Sequence, residues 1–104
     1  MHNNMHGTQF VNSNYNYFCF NNVYENQHYG IFFGWRSKTN NIFSNNFIDN
    51  YNNARDDGYN NWDKNFWSDY LGSKYKLISL LNLPYLIKKF SFDWHPTNKP
   101  YDLT

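Results

Sequence analysis

The chain has 104 residues, a formal net charge of +1, 16% charged residues, 23% aromatic residues and one Cys. That bounds a single domain, too evenly charged for an electrostatic nucleic-acid surface, without a disulfide framework and without the run of ~18 apolar residues that a membrane span needs. The mean hydropathy of −0.89 comes from Asn and Tyr rather than from charge, which separates the chain from the aromatic-poor, charge-rich composition of disorder.

Asn makes up about a fifth of the residues, several times the ordinary share. In chain order, Met1, His2, Met5 and His6 come first. They form a soft donor pattern of the copper type, and the weakest of the site candidates. The first ten residues lack the basic-then-apolar pattern of a signal peptide. Gly7-Thr8-Gln9-Phe10 then echoes Gly30-Ile31-Phe32-Phe33, so the chain is expected to open inside a repeat.

The stronger repeat is the segment 16–26 laid over 40–50, a shift of 24 residues. Asn falls on Asn at 16/40, 21/45, 22/46 and 26/50, apolar on apolar at 18/42, 19/43, 23/47 and 24/48, and Glu25 on Asp49. The apolar pieces are short and rich in Phe, Ile, Val and Tyr, which favours strands. Asn tolerates the left-handed backbone region and bonds nearby backbone, so it marks corners. Short strands with Asn corners at this period have the size of one coil of a parallel β-helix. Stacked coils lie ~4.8 Å apart, so Asn21/Asn45 and Asn26/Asn50 are expected as amide ladders. Phe18/Ile42 and Val23/Phe47 are the expected interior. An Asn-rich low-complexity segment is the alternative. It leaves the ordered apolar positions and the distinct second half unexplained.

The candidate ligand residues lie on these coils and just after them. Outward aromatics beside Asn suit a sugar ring, which selects Tyr24, Tyr29, Trp35 and Tyr51; the bland reading is an outer aromatic ladder. Glu25 and Asp49 would stack one coil apart, close enough to perturb each other, but solvated corners account for them better than a catalytic pair. Cys19 aligns with Phe43 and reads as a packed thiol. His28 and His95 stand alone.

After Asn53 the repeat is expected to stop. Residues 54–70 bring four Asp, and Trp62, Phe66, Trp67 and Tyr70 would cover the open end as terminal coils require. Asp56, Asp57 and Asp63 surround a Gly turn with hard oxygen donors, a calcium candidate without the EF-hand spacing. The opposing reading has them bonding the turn backbone. Residues 71–104 form a tail. Between Lys74 and Phe90 it carries four Lys and no acid, and Pro84 prevents one long helix. An extended segment along the coil is favoured over a basic surface helix.

The stretch from Gly30-Ile31 through Asn46-Phe47-Ile48-Asp49-Asn50, Asn53-Ala54, Asp57-Gly58, Asn61-Trp62-Asp63 and Trp67-Ser68-Asp69-Tyr70 resembles the C-terminal end of NosD-like right-handed parallel β-helix proteins, also described as CASH-type repeats. The resemblance covers residues 14–70, with Phe66 where the family carries another aromatic. It implies export to the cell surface, the periplasm or the extracellular space. For one branch it implies a role in maturing the copper site of nitrous oxide reductase. The expected protein is all-β: coils over 1–53, a cap over 54–70 and a packed tail over 71–104. It is expected to be a C-terminal fragment, structural or carbohydrate-binding and without catalysis of its own. Its expected partners are upstream coils and a polysaccharide, not nucleic acid. No cofactor is expected beyond calcium, with copper less favoured. The alternatives are a fragment of a polysaccharide lyase or glycoside hydrolase whose active coils lie upstream, or a copper-site maturation protein.

Overall fold

A computed structural model of the chain describes residues 4, 6–70, 83–88 and 91–103. Met1, His2 and Met5 of the soft N-terminal pattern, and most of the basic segment after Leu71, lie outside the described residues. The described residues are all-β: β1 (His6–Phe10), β2 (Tyr17–Cys19), β3 (Asn22–Tyr24), β4 (Tyr29–Phe33), β5 (Lys38–Phe43), β6 (Asn46–Ile48), β7 (Asn52–Asp56), β8 (Tyr59–Asp63), β9 (Phe66–Trp67), β10 (Tyr85–Lys88) and β11 (Ser91–Asp93).

Each of the first six strands pairs in parallel with the strand three places later. The sheets run β1-β4-β7, β2-β5-β8 and β3-β6-β9, the order that a chain coiling around a three-sided prism produces. Tyr17 aligns with Asn41 and Asn22 with Asn46, as the sequence repeat requires. The next coil is shorter: Ile42 aligns with Trp62 and Asn46 with Phe66. Residues 54–70, expected as a cap, thus supply most of a further coil in the same three sheets. Beyond it, β11 joins β8 through Asp93 opposite Trp62, and β10 folds back antiparallel on β11.

The interior is a set of columns, because equivalent inward positions lie above one another. Phe18, Ile42 and Trp62 form one. Val23, Phe47 and Trp67 form the second, extended by Tyr85: Phe47 stacks on Trp67 at 4.5 Å and Trp67 on Tyr85 at 4.2 Å. Phe10 stacks on Phe33 at 4.6 Å in the third. Gly30 is required where it stands, since a Cβ there would meet Asn53 O at 2.5 Å.

At the corners the structure differs from expectation in one respect. The left-handed residue is the one before the ladder Asn, not the Asn. Tyr15 and Thr39 precede Asn16 and Asn40; Phe20, Ser44 and Lys64 precede Asn21, Asn45 and Asn65; Glu25 and Asp49 precede Asn26 and Asn50. All seven have φ between 53° and 60°. The side-chain amide that follows each corner supplies the hydrogen bonds that hold it.

Those amides form three ladders, one more than the sequence suggested, and all run the same way. Asn21 donates its backbone N–H (2.9 Å) and Nδ2 (3.2 Å) to Asn45 Oδ1, and Asn45 does the same to Asn65 Oδ1 (3.1 and 3.0 Å). Asn16, Asn40 and Asn60 repeat the pattern, with Nδ2 bonds of 3.0 and 2.8 Å. Asn26, Asn50 and Asn53 do so with 2.8 and 2.9 Å.

Asn45 is fully buried, and its Nδ2 also donates to Phe18 O and Phe43 O. Asn45→Ala is expected to cost about 2–4 kcal/mol in urea unfolding, because it strands several buried groups. Asn14→Ala, which removes an exposed acceptor of the Lys38 N–H, should cost less than about 0.5 kcal/mol. Glu25→Gly should stabilise by up to about 1 kcal/mol, since the exposed Glu25 is left-handed at φ 53°. A loss of stability in that variant would contradict the corner account.

Candidate functional site

A ladder in which every amide donates forward must end on a group that only accepts, and an ionised carboxylate is such a group. Asn60 Nδ2 donates to Asp56 Oδ1 at 2.9 Å, and Asn53 Nδ2 to Asp69 Oδ1 at 2.8 Å. Asn65 donates its N–H and Nδ2 to Asp93 Oδ2 at 2.9 and 3.1 Å. Asp93 is wholly buried and also receives Trp67 Nε1 at 2.9 Å and the Lys64 N–H at 3.1 Å. Burial pushes its carboxyl above the usual carboxylate value, opposed by the donors from Trp67 and Asn65. Tyr85 gives its hydroxyl to Asp69, and burial beside that charge pushes the phenol upward.

The three carboxylates singled out for calcium take separate partners. Asp56 is buried, receiving the Gly58 N–H, Asn60 Nδ2 and Trp62 Nε1. Asp57 pairs with Arg55 at 3.2 Å on the surface. Asp63 meets His95 Nδ1 at 2.7 Å, a partnership that 32 residues of separation concealed. Among the described residues no group of three or more His, Cys, Asp and Glu is arranged to hold a metal ion. Glu25 and Asp49 are exposed corner residues.

The four aromatics selected for sugar binding are also spread out. Tyr24 stands on β3 and Tyr29 on β4. Trp35 lies in the corner after β4, 66% exposed, with the Arg36 guanidinium 4.3 Å from its ring centroid. Tyr51 lies in the corner before β7. Tyr29 donates nothing to Arg55; instead Arg55 Nη1 donates to the Tyr29 hydroxyl at 3.0 Å, and that bond and Asp57 raise the guanidinium pKa.

A more coherent surface lies on the outer face of β2, β5 and β8, where Tyr17, Asn41, Ile42, Phe43, Asn61 and Asp63 line a shallow depression of about 270 Å³. Tyr17 and Phe20 each meet Phe43 edge-on at 6.2 Å. Asn61 Nδ2 reaches Asn41 Oδ1 at 3.3 Å. Tyr17 is 73% exposed. The alternation of side chains along a strand explains this face: inward Phe18, Ile42 and Trp62 force Tyr17, Asn41, Phe43, Asn61 and Asp63 outward.

At the first coil, His6 opens β1 opposite Tyr29, which puts it beside His28. The two imidazole centroids are 5.7 Å apart with planes at 71°. His6 stacks on Tyr29 at 5.3 Å. Its Nδ1 is buried and has no hydrogen-bond partner.

Comparison with known proteins gives one family. The model described as "Periplasmic copper-binding protein (NosD)" matches residues 1–79. No curated protein and no solved structure matches.

Calcium at millimolar concentration, or EDTA, is expected to leave the thermal midpoint unchanged within about 1 °C, because Asp56 is already spent on three donors. A calcium-dependent rise of several degrees, lost in Asp57→Asn, would restore the calcium reading.

Proposed function

The chain belongs to the NosD family, and on that premise we propose that it is a non-catalytic scaffold of an exported, periplasmic β-helix that binds carbohydrate on the outer face of β2, β5 and β8. The observation that carries this reading is the depression there, with exposed Tyr17 and half-buried Phe43 beside Asn41, Asn61 and Asp63. Aromatic rings pack against the apolar faces of a sugar, while amides and a carboxylate bond its hydroxyls. A row of equivalent positions along stacked coils suits an extended polysaccharide better than a small molecule.

The acids argue against a hydrolase or lyase centre on these coils. Glycoside hydrolysis needs two carboxylates free to act at a fixed separation. Asp56, Asp69 and Asp93 close the ladders, Asp57 and Asp63 hold Arg55 and His95, and Glu25 and Asp49 stand exposed at left-handed corners, where solvation accounts for them better than a catalytic pair does. A lyase or hydrolase would need its active coils elsewhere.

Further coils are the second inferred partner. Among the described residues nothing donates to Asn16 Oδ1 or Asn21 Oδ1, so the β2 and β3 edges are matched to a coil that presents amide donors. The handedness expected of the crossovers is right-handed, as in nearly all parallel connections.

A glycan array of polysaccharides and their fragments, probed with the purified chain, tests the reading. Saturable binding is expected, weakened about tenfold or more by Tyr17→Ala, roughly 1.4 kcal/mol, and unaffected by Trp35→Ala. Loss in Trp35→Ala alone would move the site to the corner after β4. No binding to any glycan would remove the carbohydrate reading and leave a bare scaffold.

A further inference from the structure

We propose that the corner between the β1-β4-β7 and β2-β5-β8 sheets docks the protein on an anionic phospholipid bilayer. The side chains there are of two kinds, apolar and cationic. Val11, Tyr15, Trp35 and Tyr59 are the apolar set, from 63% exposed (Val11) to 80% exposed (Tyr15). Single apolar residues in water are ordinary; several at one edge mark a contact surface. Val11, Asn12, Gly34, Trp35 and Arg36 line one shallow depression of about 270 Å³. The coil explains why Trp35 projects. The corner between β4 and β5 takes residues 34–37, whereas that between β7 and β8 takes only 57–58. Gly58 lies against Ser37 and Gly34, so Trp35 and Arg36 are the extra residues of the longer corner and form a loop outside the stack. The interior needs neither of them.

The cations stand among these rings. The Arg36 guanidinium lies 4.3 Å from the Trp35 ring centroid, which holds its charge at the apolar edge. Lys38 is in register with Tyr59, and Lys88 Nζ lies 4.9 Å over the Tyr59 ring while donating to Gly58 O. Arg36 and Lys38 are exposed and make no ion pair among the described residues. Residues 11–15 and 34–39 contain no acid. The acids of the next coil are committed, Asp56 to its buried donors and Asp57 to Arg55. A chain of net charge +1 thus carries three cations at one corner with no anion free to answer them. The complementary partner is anionic.

An acidic polysaccharide has the same charge, but three features favour lipid. Arg36 covers a face of the Trp35 ring, the surface on which a sugar would stack. Val11 is aliphatic and exposed, which helps a ligand made of acyl chains and adds nothing for one made of hydroxyls. The site is a projecting corner, which can dip into an interface, whereas a glycan chain lies along a flat face. Trp and Tyr rings settle at the headgroup level of a bilayer, and neighbouring Arg and Lys bind its anionic phosphates. The apolar stems of those cations add to the contact. Docking by this edge uses none of the residues that line the depression on β2, β5 and β8, so the two surfaces are separable.

The test is co-sedimentation of the folded chain with vesicles. Binding is expected to mixed phosphatidylglycerol–phosphatidylcholine vesicles and not to phosphatidylcholine alone, with release by about 0.5 M salt. Arg36→Gln should weaken the partition about fivefold, and Arg36→Gln with Lys38→Gln at least about tenfold. Lys99→Gln, in the tail, should change it by less than about twofold. Brominated lipid should quench the tryptophan emission, and Trp35→Ala should abolish that quenching. These are exposed positions, so melting curves should match the parent chain. Glycan binding should be the same in every variant, which keeps this proposal independent of the carbohydrate reading. Equal binding to phosphatidylcholine, undiminished binding by the double variant, or no quenching would overturn it. So would charge-dependent capture of polygalacturonate by a chain that ignores the vesicles, which would make the corner an acidic-polysaccharide site instead.

Discussion

Everything in this structure depends on the direction of the asparagine ladders. Each Asn gives both its backbone N–H and its side-chain Nδ2 to the oxygen of the Asn one step along, so the ladder has a donor sense, like a helix but with side chains. The amide also ties adjacent coils, as when Asn45 Nδ2 reaches Phe18 O and Asn65 Nδ2 reaches Ile42 O. A buried amide that meets its partners costs little and specifies register; one that misses them costs as much as a core cavity. Register in these short strands is therefore set by amides at the corners more than by the two or three apolar side chains between them. The ladders also account for seven left-handed, non-glycine corners, each of which would be unfavourable by itself.

The same direction disposes of the acidic residues. A forward-donating ladder must terminate on a pure acceptor, so Asp56, Asp69 and Asp93 are structural before they are anything else. Asp93 comes from the tail, and its bonds to Lys64, Asn65 and Trp67 fasten β11 to the coil. What the ladders leave unused is on the outside: aromatics and amides on the β2, β5, β8 face among them. The interior, by contrast, is fully committed to packing and to the ladders.

The coils themselves were legible because their period was intact between 16–26 and 40–50, and the columns Phe18/Ile42 and Val23/Phe47 follow directly. The following coil was not, for a physical reason. Its turns are shorter, so Asn40 meets Asn60 and Asn45 meets Asn65 at a separation of 20 rather than 24, and a fixed-period comparison loses them. The third ladder closes within one turn, Asn50 to Asn53. The corner assignment went astray because Asn is the residue most tolerant of the left-handed region, whereas here its side chain is needed for the bond and its neighbour takes the strain. Asp93 and His95 were invisible as partners, since their contacts with Asn65 and Asp63 depend on a tail whose path no periodicity dictates. His6 and His28 had a signal: the offset echo of Gly7–Phe10 in Gly30–Phe33 sets His6 opposite Tyr29, next to His28. Reading that echo as a strand pairing would have brought the two imidazoles together.

The two ends of the ladders are chemically alike, since both offer acceptors. The last acceptors are carboxylates. At the first coil, Asn16 and Asn21 present Oδ1, also an acceptor. The head of the remaining ladder is engaged, since Asn26 Oδ1 takes the Asn4 N–H at 3.2 Å. A second copy cannot offer Asp56 or Asp93 to the first coil, because both are buried on their own donors and β11 and β10 lie beyond β8. In a head-to-tail arrangement the ladders of one copy would therefore not continue into those of the next. A coil added at the edge of β2 and β3 would continue the ladders only by pointing its own Asn amide hydrogens toward it. The direction that ends each ladder on a carboxylate thus also leaves acceptors, not donors, at the beginning of two of them.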